Sequence, residues 1–256
     1  MLLTIDNKNK LEIFVSVFQL LKNWGSGIKM QFDTDKLYIQ TMDKSHICLA
    51  DINIKANWFS KYEANKSTNI YVDSNNFAIL MNYAVKNDIL ELNYKDDCPD
   101  KIFINCLNGQ NNNDTYDHFF ELNLIEMTND CLDIPNVDYD VEFNIDSKKF
   151  IDSLTDLNTF GPDLNIKCLE SLIELNTNSE TTLLKIAIPI DDLNEYATTE
   201  EELDMNISLS HITKMCTSNK LSKNIEVRLS NEYPMMMVYN LGDDSNVCFF
   251  IAPKID

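Results

Sequence analysis

The chain has 256 residues, 44% of them apolar, which suits a globular protein of one large domain or two of ordinary size. Its 41 acidic and 21 basic residues leave a net charge of -20, and Arg228 is the only arginine, so any contact with nucleic acid has to be made by a local, segregated basic face. Seven cysteines without a C-x-x-C pair argue against a disulfide framework and a structural zinc site, and no window approaches the ~20 uninterrupted apolar residues of a membrane span or the pattern of a secretory leader.

A strand-like start over 1–5 leads into residues 10–24, where Leu11, Phe14, Val17, Phe18 and Leu21 recur at helical spacing and Gly25 and Gly27 end the run. A hairpin follows, 28–32 and 36–41 across Asp33-Thr34-Asp35. Leu37, Ile39 and Thr41 alternate with Tyr38 and Gln40, and a second period-2 run begins at Ile47, so two strands flank the polar connection Met42-Asp-Lys-Ser-His46. Read alone, that connection is either a plain loop or a recognition loop that offers Met42, His46 and Ile47 to a partner. Further strands are expected over 58–62 and 69–73, then a helix over 74–84 with Ser74 as its N-cap and Phe77, Leu80, Met81 and Ala84 on one face. Strands over 89–94 and 101–107, a turn over 109–114 and a strand over 116–124 close this half.

The second half repeats the plan. A helix over 146–161, capped by Asp146 or Ser147 and stopped by Gly161, precedes strands over 164–168, 172–175 and 182–188 and an acidic loop with Glu200-Glu-Glu202. A fourth helix over 209–218 is followed by strands over 224–229, 234–239 and 246–252. Helices one and three, and two and four, lie about 135 residues apart, the signature of two copies of one domain. The expected organisation is therefore a domain over 1–120, a connector over 121–139 and a domain over 140–256. Pro135 keeps the connector extended, and Leu132, Ile134 and Tyr139 stud it with apolar teeth, either to clamp the domain junction or to seat a partner.

Enzymatic patterns are missing: three scattered histidines, no H-E-x-x-H, G-x-S-x-G or G-x-G-x-x-G, and acidic pairs only in turn-like contexts. No catalytic residue, metal ligand or cofactor is expected. Lys10, Lys22, Lys86, Lys148, Lys149, Lys214 and Lys220 lie on or beside the helices. If the four helices share one side of a sheet, these lysines make either an ordinary solvated surface or a wall that faces DNA.

Two strings carry a specific resemblance. Leu37-Tyr-Ile-Gln-Thr-Met-Asp-Lys-Ser-His-Ile-Cys-Leu49 resembles the L-x-x-x-(S/T)-M-D-x-S-H-(V/I)-x-L segment of sliding clamps of the proliferating cell nuclear antigen (PCNA) type, and Phe249-Phe-Ile-Ala-Pro-Lys-Ile-Asp256 resembles their closing Y-Y-L-A-P-K-I-E. Leu132-Asp-Ile-Pro135 with Tyr139 is similar to the interdomain connector of that family, and Tyr233-Pro234 to the strand bordering its docking pocket. The resemblance covers essentially the whole chain. It implies an α+β DNA clamp fold of two topologically similar strand-rich domains, each with two helices, closing into a ring as a homotrimer. It further implies a processivity factor that encircles duplex DNA, is opened by a clamp loader, tethers a DNA polymerase and acts in the nucleus, or at a viral replication site.

Residue by residue, the resemblance implies a pocket for PIP-box peptides (Q-x-x-aliphatic-x-x-aromatic-aromatic) made by Met42, His46, Ile47, Leu49, Leu132, Ile134, Pro234, Phe250, Ala252 and Pro253. It implies DNA-facing Lys10, Lys22, Lys86, Lys149, Lys214 and Lys220, and a subunit interface with Tyr116, His118 and Phe120 on one copy and Leu184 and Ile186 on the next. Departures are also visible. Ile79, Asn82, Asp152, Thr155 and Thr217 stand where the family places basic residues, Glu170 falls near the lysine that the family modifies with ubiquitin, and Phe250 replaces a tyrosine. They keep an alternative in play, a clamp-fold binding hub or a checkpoint-type clamp subunit with a reduced role in sliding.

Overall fold

The computed structural model of the protein describes residues 1–22, 24–109, 116–127, 131–216 and 220–254. Its chain order is a duplication. The first copy runs β1 (Leu2–Ile5), α1 (Lys8–Leu21), β2 (Gly27–Phe32), β3 (Lys36–Met42), β4 (Cys48–Lys55), a 3-10 turn Ala56–Trp58, β5 (Lys61–Glu63), β6 (Thr68–Asp73), α2 (Ser74–Lys86), β7 (Ile89–Tyr94), β8 (Lys101–Leu107) and β9 (His118–Asn123). The second runs β10 (Val141–Asp146), α3 (Ser147–Phe160), β11 (Asp163–Leu169), β12 (Leu172–Asn178), β13 (Leu183–Pro189), a 3-10 turn Ile190–Asp192, β14 (Glu195–Thr198), β15 (Glu202–Ser208), α4 (Leu209–Met215), β16 (Asn224–Leu229), β17 (Met235–Gly242) and β18 (Ser245–Ile251). Element for element the two copies agree.

The chain folds into two compact units: Met1–Lys44, Ala50–Leu132 and Leu241–Val247 form the first, and Ser45–Leu49, Asp133–Asn240 and Cys248–Asp256 the second. In the first, one sheet has the order β5-β1-β7-β8-β9, and another places β4-β3-β2-β6 side by side. Helices α1 and α2 pack on each other, with Phe18 meeting Phe14 and Phe77 edge-on at 4.9 and 4.7 Å between ring centroids. In the second, β13-β12-β11-β15 form one sheet and β14-β10-β16-β17-β18 follow one another in a second. There Phe150, Leu154 and Leu157 of α3 and Ile212 and Met215 of α4 are buried, and the two helices pack together.

Helix starts follow capping chemistry. The side-chain oxygens of Asn7, Asp73 and Asp146 accept from the backbone N–H of Lys10, Asn76 and Lys149 at 3.1, 2.8 and 3.0 Å, each worth about 1 kcal/mol. Ser74 is therefore not the N-cap of α2. It is the first helical residue, and its hydroxyl donates to Gly25 O at 2.6 Å. The strand expected over 58–62 is also corrected: Trp58 ends a 3-10 turn, is fully buried and donates its indole N–H to Leu241 O at 3.0 Å, so pairing resumes only at Lys61. Strands β10, β14 and β15 come in addition to those expected, and α4 ends at Met215. Residues 110–114 of the expected turn and 217–218 of the expected helix lie outside the described residues.

Candidate partner-docking, DNA-facing and subunit surfaces

The ten residues expected to dock a peptide divide between the units: Met42 and Leu132 belong to the first, the other eight to the second. Within the second unit, Ala252 donates its N–H to Ile47 O at 3.1 Å, which ties the C-terminal segment to the His46–Leu49 stretch. Lys254 continues that anchoring through its N–H to Asn206 O at 2.8 Å and its ammonium to Asp163 at 2.5 Å. His46 takes φ 58, a left-handed conformation that turns the chain sharply into β4 and leaves the imidazole exposed. Beside it the Ser45 hydroxyl lies 3.1 Å from His211 Nε2, whose Nδ1 lies 3.0 Å from Ser208 Oγ. Ile47, Leu49, Ile134, Phe250 and Pro253 are half-buried, whereas Pro234 and Ala252 are exposed.

In the first unit Leu132 is 52% exposed, an apolar side chain held out to solvent. Its backbone is nevertheless fixed: Gln40, two residues before Met42 on β3, accepts from Leu132 N–H at 2.6 Å and donates to Leu132 O at 3.0 Å. At the connector's beginning, Ile125 N–H donates to Tyr71 O at 2.9 Å, and the side chains of Ile125 and Met127 cover Gly27 so closely that a Cβ there would collide with both. The Gln40 contact bridges 92 residues of sequence, and period-2 alternation alone put Gln40 merely on the polar face of its strand.

A cavity of about 560 Å³ opens in the second unit, lined by Asp138, Asp140, Glu200, Asn231, Glu232 and Tyr233 among others. It contains none of the ten expected docking residues. Among the described residues no group of three or more His, Cys, Asp or Glu is arranged to hold a metal, and no helix is long and apolar enough to cross a membrane.

The lysines fall out unequally. Lys22, Lys86, Lys149, Lys214 and Lys220 are exposed. Lys10 is not: its ammonium donates to Trp58 O at 2.8 Å and to Asp243 at 2.7 Å and lies over the Trp58 ring, so a residue expected to face DNA has its charge spent inside the first unit. Lys86 lies over the ring of Tyr83, which together with Ile79 gives α2 an exposed apolar stripe one helical turn long. Ile79, Asn82, Asp152 and Thr155, expected to stand in place of basic residues, occupy exposed helical positions, and Thr217 lies outside the described residues. Even so the helices are the positive part of the chain. They carry Lys8, Lys10, Lys86, Lys148, Lys149 and Lys214 against Glu12, Asp152 and Asp156, a net of +3 that leaves -23 for the rest.

Strands β9 and β13 each form the edge of their sheet. On β9, His118 and Phe120 are half-buried in a ring cluster with Tyr83, at 5.3 and 5.2 Å between centroids, while Phe119 is 69% exposed. Tyr116, just before the strand, is 87% exposed. On β13, Leu184 and Ile186 are half-buried and Leu183 is 71% exposed. Open edges with exposed apolar side chains are a template for pairing with another chain, a feature that monomers ordinarily blunt.

Comparison with known proteins accounts for this architecture. The family model for the N-terminal domain of proliferating cell nuclear antigen matches residues 7–131, and that for its C-terminal domain residues 133–254. Among curated proteins, proliferating cell nuclear antigen of Chaetomium thermophilum is 24% identical over 249 residues, covering 95% of both chains, and proliferating cell nuclear antigen 2 of Plasmodium falciparum is 23% identical over 254 residues, covering 95% of this chain and 96% of its own. Among solved structures, PCNA from Thermococcus kodakaraensis superposes with a TM-score of 0.88 at 16% identity, and the PCNA2–PCNA3 complex from Sulfolobus tokodaii with 0.87 at 21%, each over 99% of both chains. With an α+β clamp fold, a duplicated strand-rich domain and both family domains matched in order, the chain belongs to the proliferating cell nuclear antigen family of sliding clamps.

Proposed function

We propose that three copies of this chain close head to tail into a ring that encircles duplex DNA, tethers a DNA polymerase for processive synthesis and docks proteins carrying PIP-box peptides. The observation that carries the reading is the segregation of charge: +3 on four helices, or +2 with Lys10 set aside because Asp243 meets its charge, within a chain of -20. A ring needs no tight grip on DNA, since topology prevents dissociation, and a mildly positive bore inside an acidic exterior permits sliding while repelling DNA elsewhere. Ring closure pairs β9 of one copy with β13 of the next, a heterologous interface that closes. The exposed Phe119 and Leu183 at those edges support it. For docking, Leu132 and Ile134 on the connector, Met42, and the His46–Leu49 and Phe250–Pro253 segments supply apolar anchors for a short peptide. A clamp loader opens the ring, and the protein acts in the nucleus or at a viral replication site.

Light scattering of the purified chain tests closure, with a trimer mass expected at micromolar concentration. Loading onto nicked circular but not linear DNA, with stimulation of a polymerase on a primed circle, tests sliding. The exposed Ile79, Asn82, Asp152 and Thr155 favour the second reading, a clamp-fold hub or checkpoint-type subunit in which sliding is reduced. A trimer that docks peptide yet is not retained on circular DNA selects the hub, and a chain that stays monomeric alone selects the subunit of a mixed ring.

A further inference from the structure

We infer that Gln40 is a positioning residue for the connector: its amide holds the Leu132 backbone against β3, so that the apolar rail is set before a peptide arrives. The inference rests on the peptide-docking reading above. It starts from the polar face of two strands. Alternation puts Lys36, Tyr38 and Gln40 of β3 on one face, and Asp51 and Asn53 of β4 join them there. Their hydrogen bonds form one network, in which Gln40 Nε2 also lies 3.4 Å from Asp51 Oδ2. Asn53 donates to Asp51 Oδ1 at 2.9 Å, and the Tyr38 hydroxyl donates to Asp51 Oδ2 at 2.6 Å. The Tyr38 oxygen is left as an acceptor and takes one hydrogen from Gln40 Nε2 at 3.0 Å. The second Nε2 hydrogen goes to Leu132 O, and Oε1 takes the Leu132 N–H. Reversing the amide would set oxygen against oxygen at Leu132, so the network determines its orientation. Burial, followed by the bond to Asp51, pushes the Tyr38 phenol well up, which keeps it the donor in this relay.

The side chain thus offers Leu132 the donor and acceptor of a neighbouring strand residue, although Leu132 itself belongs to no strand. Gln40 is only 9% exposed, whereas Leu132 at 52% points its side chain out. Such an arrangement fixes a backbone without covering the side chain that a partner would use. A connector released from Gln40 samples more conformations, and affinity falls by the fraction that remains competent.

Gln40→Met keeps the volume and removes both bonds to Leu132, and Tyr38→Phe removes the hydroxyl that accepts the other Gln40 hydrogen, together with its own bond to Asp51. Two readouts decide the matter: hydrogen exchange at the Leu132 amide in the free protein, and binding of a Gln-x-x-Leu-x-x-Phe-Phe peptide to the assembled protein. In Gln40→Met, exchange at Leu132 should accelerate about tenfold or more while core amides keep their rates, and the peptide dissociation constant should rise about 5- to 30-fold. Tyr38→Phe should shift both in the same direction by less. Unchanged exchange at Leu132 in Gln40→Met overturns the hold on the connector, and fast exchange with unchanged peptide affinity overturns its role in positioning. If wild type itself does not take the peptide, the docking reading fails, and exchange at Leu132 still decides whether Gln40 holds the connector.

Discussion

Asn87→Asp probes how the start of edge strand β9 is held. Asn87 follows α2, is fully buried, and donates from Nδ2 to Asn108 Oδ1 at 2.7 Å and to Tyr116 O at 3.1 Å, while its Oδ1 has no hydrogen-bond partner among the described residues. It thereby joins the end of a helix to the approach to β9. Truncation to Ala loses two neutral hydrogen bonds at about 0.5–1.5 kcal/mol each, or about 1–3 kcal/mol before any cavity cost. The Asp variant is nearly isosteric but replaces the donor with a carboxylate that faces two acceptor oxygens, a buried unpaired charge costing about 3–5 kcal/mol at neutral pH. Burial and those oxygens favour the protonated form, so the carboxyl of the folded variant titrates well above the ordinary carboxylate range. The sign follows: the penalty is full above that raised value and fades as pH falls through it, because the acid regains a donor. Urea unfolding of wild type and both variants at pH 8 and pH 5 measures this, each variant being compared with wild type at the same pH. The Asp penalty should shrink by more than 1 kcal/mol on acidification and the Ala penalty should not, while light scattering should show a weakened trimer. A pH-independent Asp penalty, or an Ala cost under about 0.5 kcal/mol, refutes the reasoning.

Other expectations are simpler. A Cβ at Gly161 would collide with Thr177 Oγ1 and the backbone oxygen of Asn178, so Gly161→Ala should lower the unfolding free energy by about 1–3 kcal/mol, read from the urea midpoint. Converting Asp152 and Asp156 to Asn removes the charges that cancel Lys148 and Lys149 on α3; retention on circular DNA at low salt should rise severalfold and fall again with added salt, in contrast to Lys149→Ala, which should reduce it. Cys131 is exposed, whereas burial pushes the Cys106 thiol up to about 11 and those of Cys168 and Cys216 to about 12. Native titration with a disulfide reagent at pH 8 should label Cys131 first and leave those three unreacted until the protein unfolds.

Much of the fold is written in local pattern. The helical spacing of Leu11, Phe14, Val17 and Phe18 and the alternation from Leu37 to Thr41 place α1 and β3 within a few residues, because the most deeply buried side chains of each follow its period, although α1 also buries Ile13, Val15 and Leu20 and β3 also buries Gln40. The omissions are instructive. β15 alternates Leu203, Met205 and Ile207, but the acidic run Glu200-Glu-Glu202 beside it reads as loop, and β14 has only four residues. The duplication could have supplied both, since β14 and β15 are the counterparts of β5 and β6. Ser74 and Asp73 are each good caps, and the choice fell to Gly25, whose carbonyl takes the Ser74 hydroxyl from 49 residues away.

Hydrophobic period, the internal repeat and the strings at 37–49 and 249–256 are enough to specify the clamp fold. The sequence also pointed to two strands, β9 and β13, that the structure places at the edges of their sheets. Which polar groups are spent emerges only when the chain is folded. Folding turned Lys10 from a candidate DNA contact into a partner of Trp58 and Asp243, and it made Gln40, an unremarked residue on a strand's polar face, the holder of Leu132. The physical reason is range: burial of an apolar face is legible from neighbours in sequence, whereas a hydrogen bond is a pairing, and its second member is chosen in space.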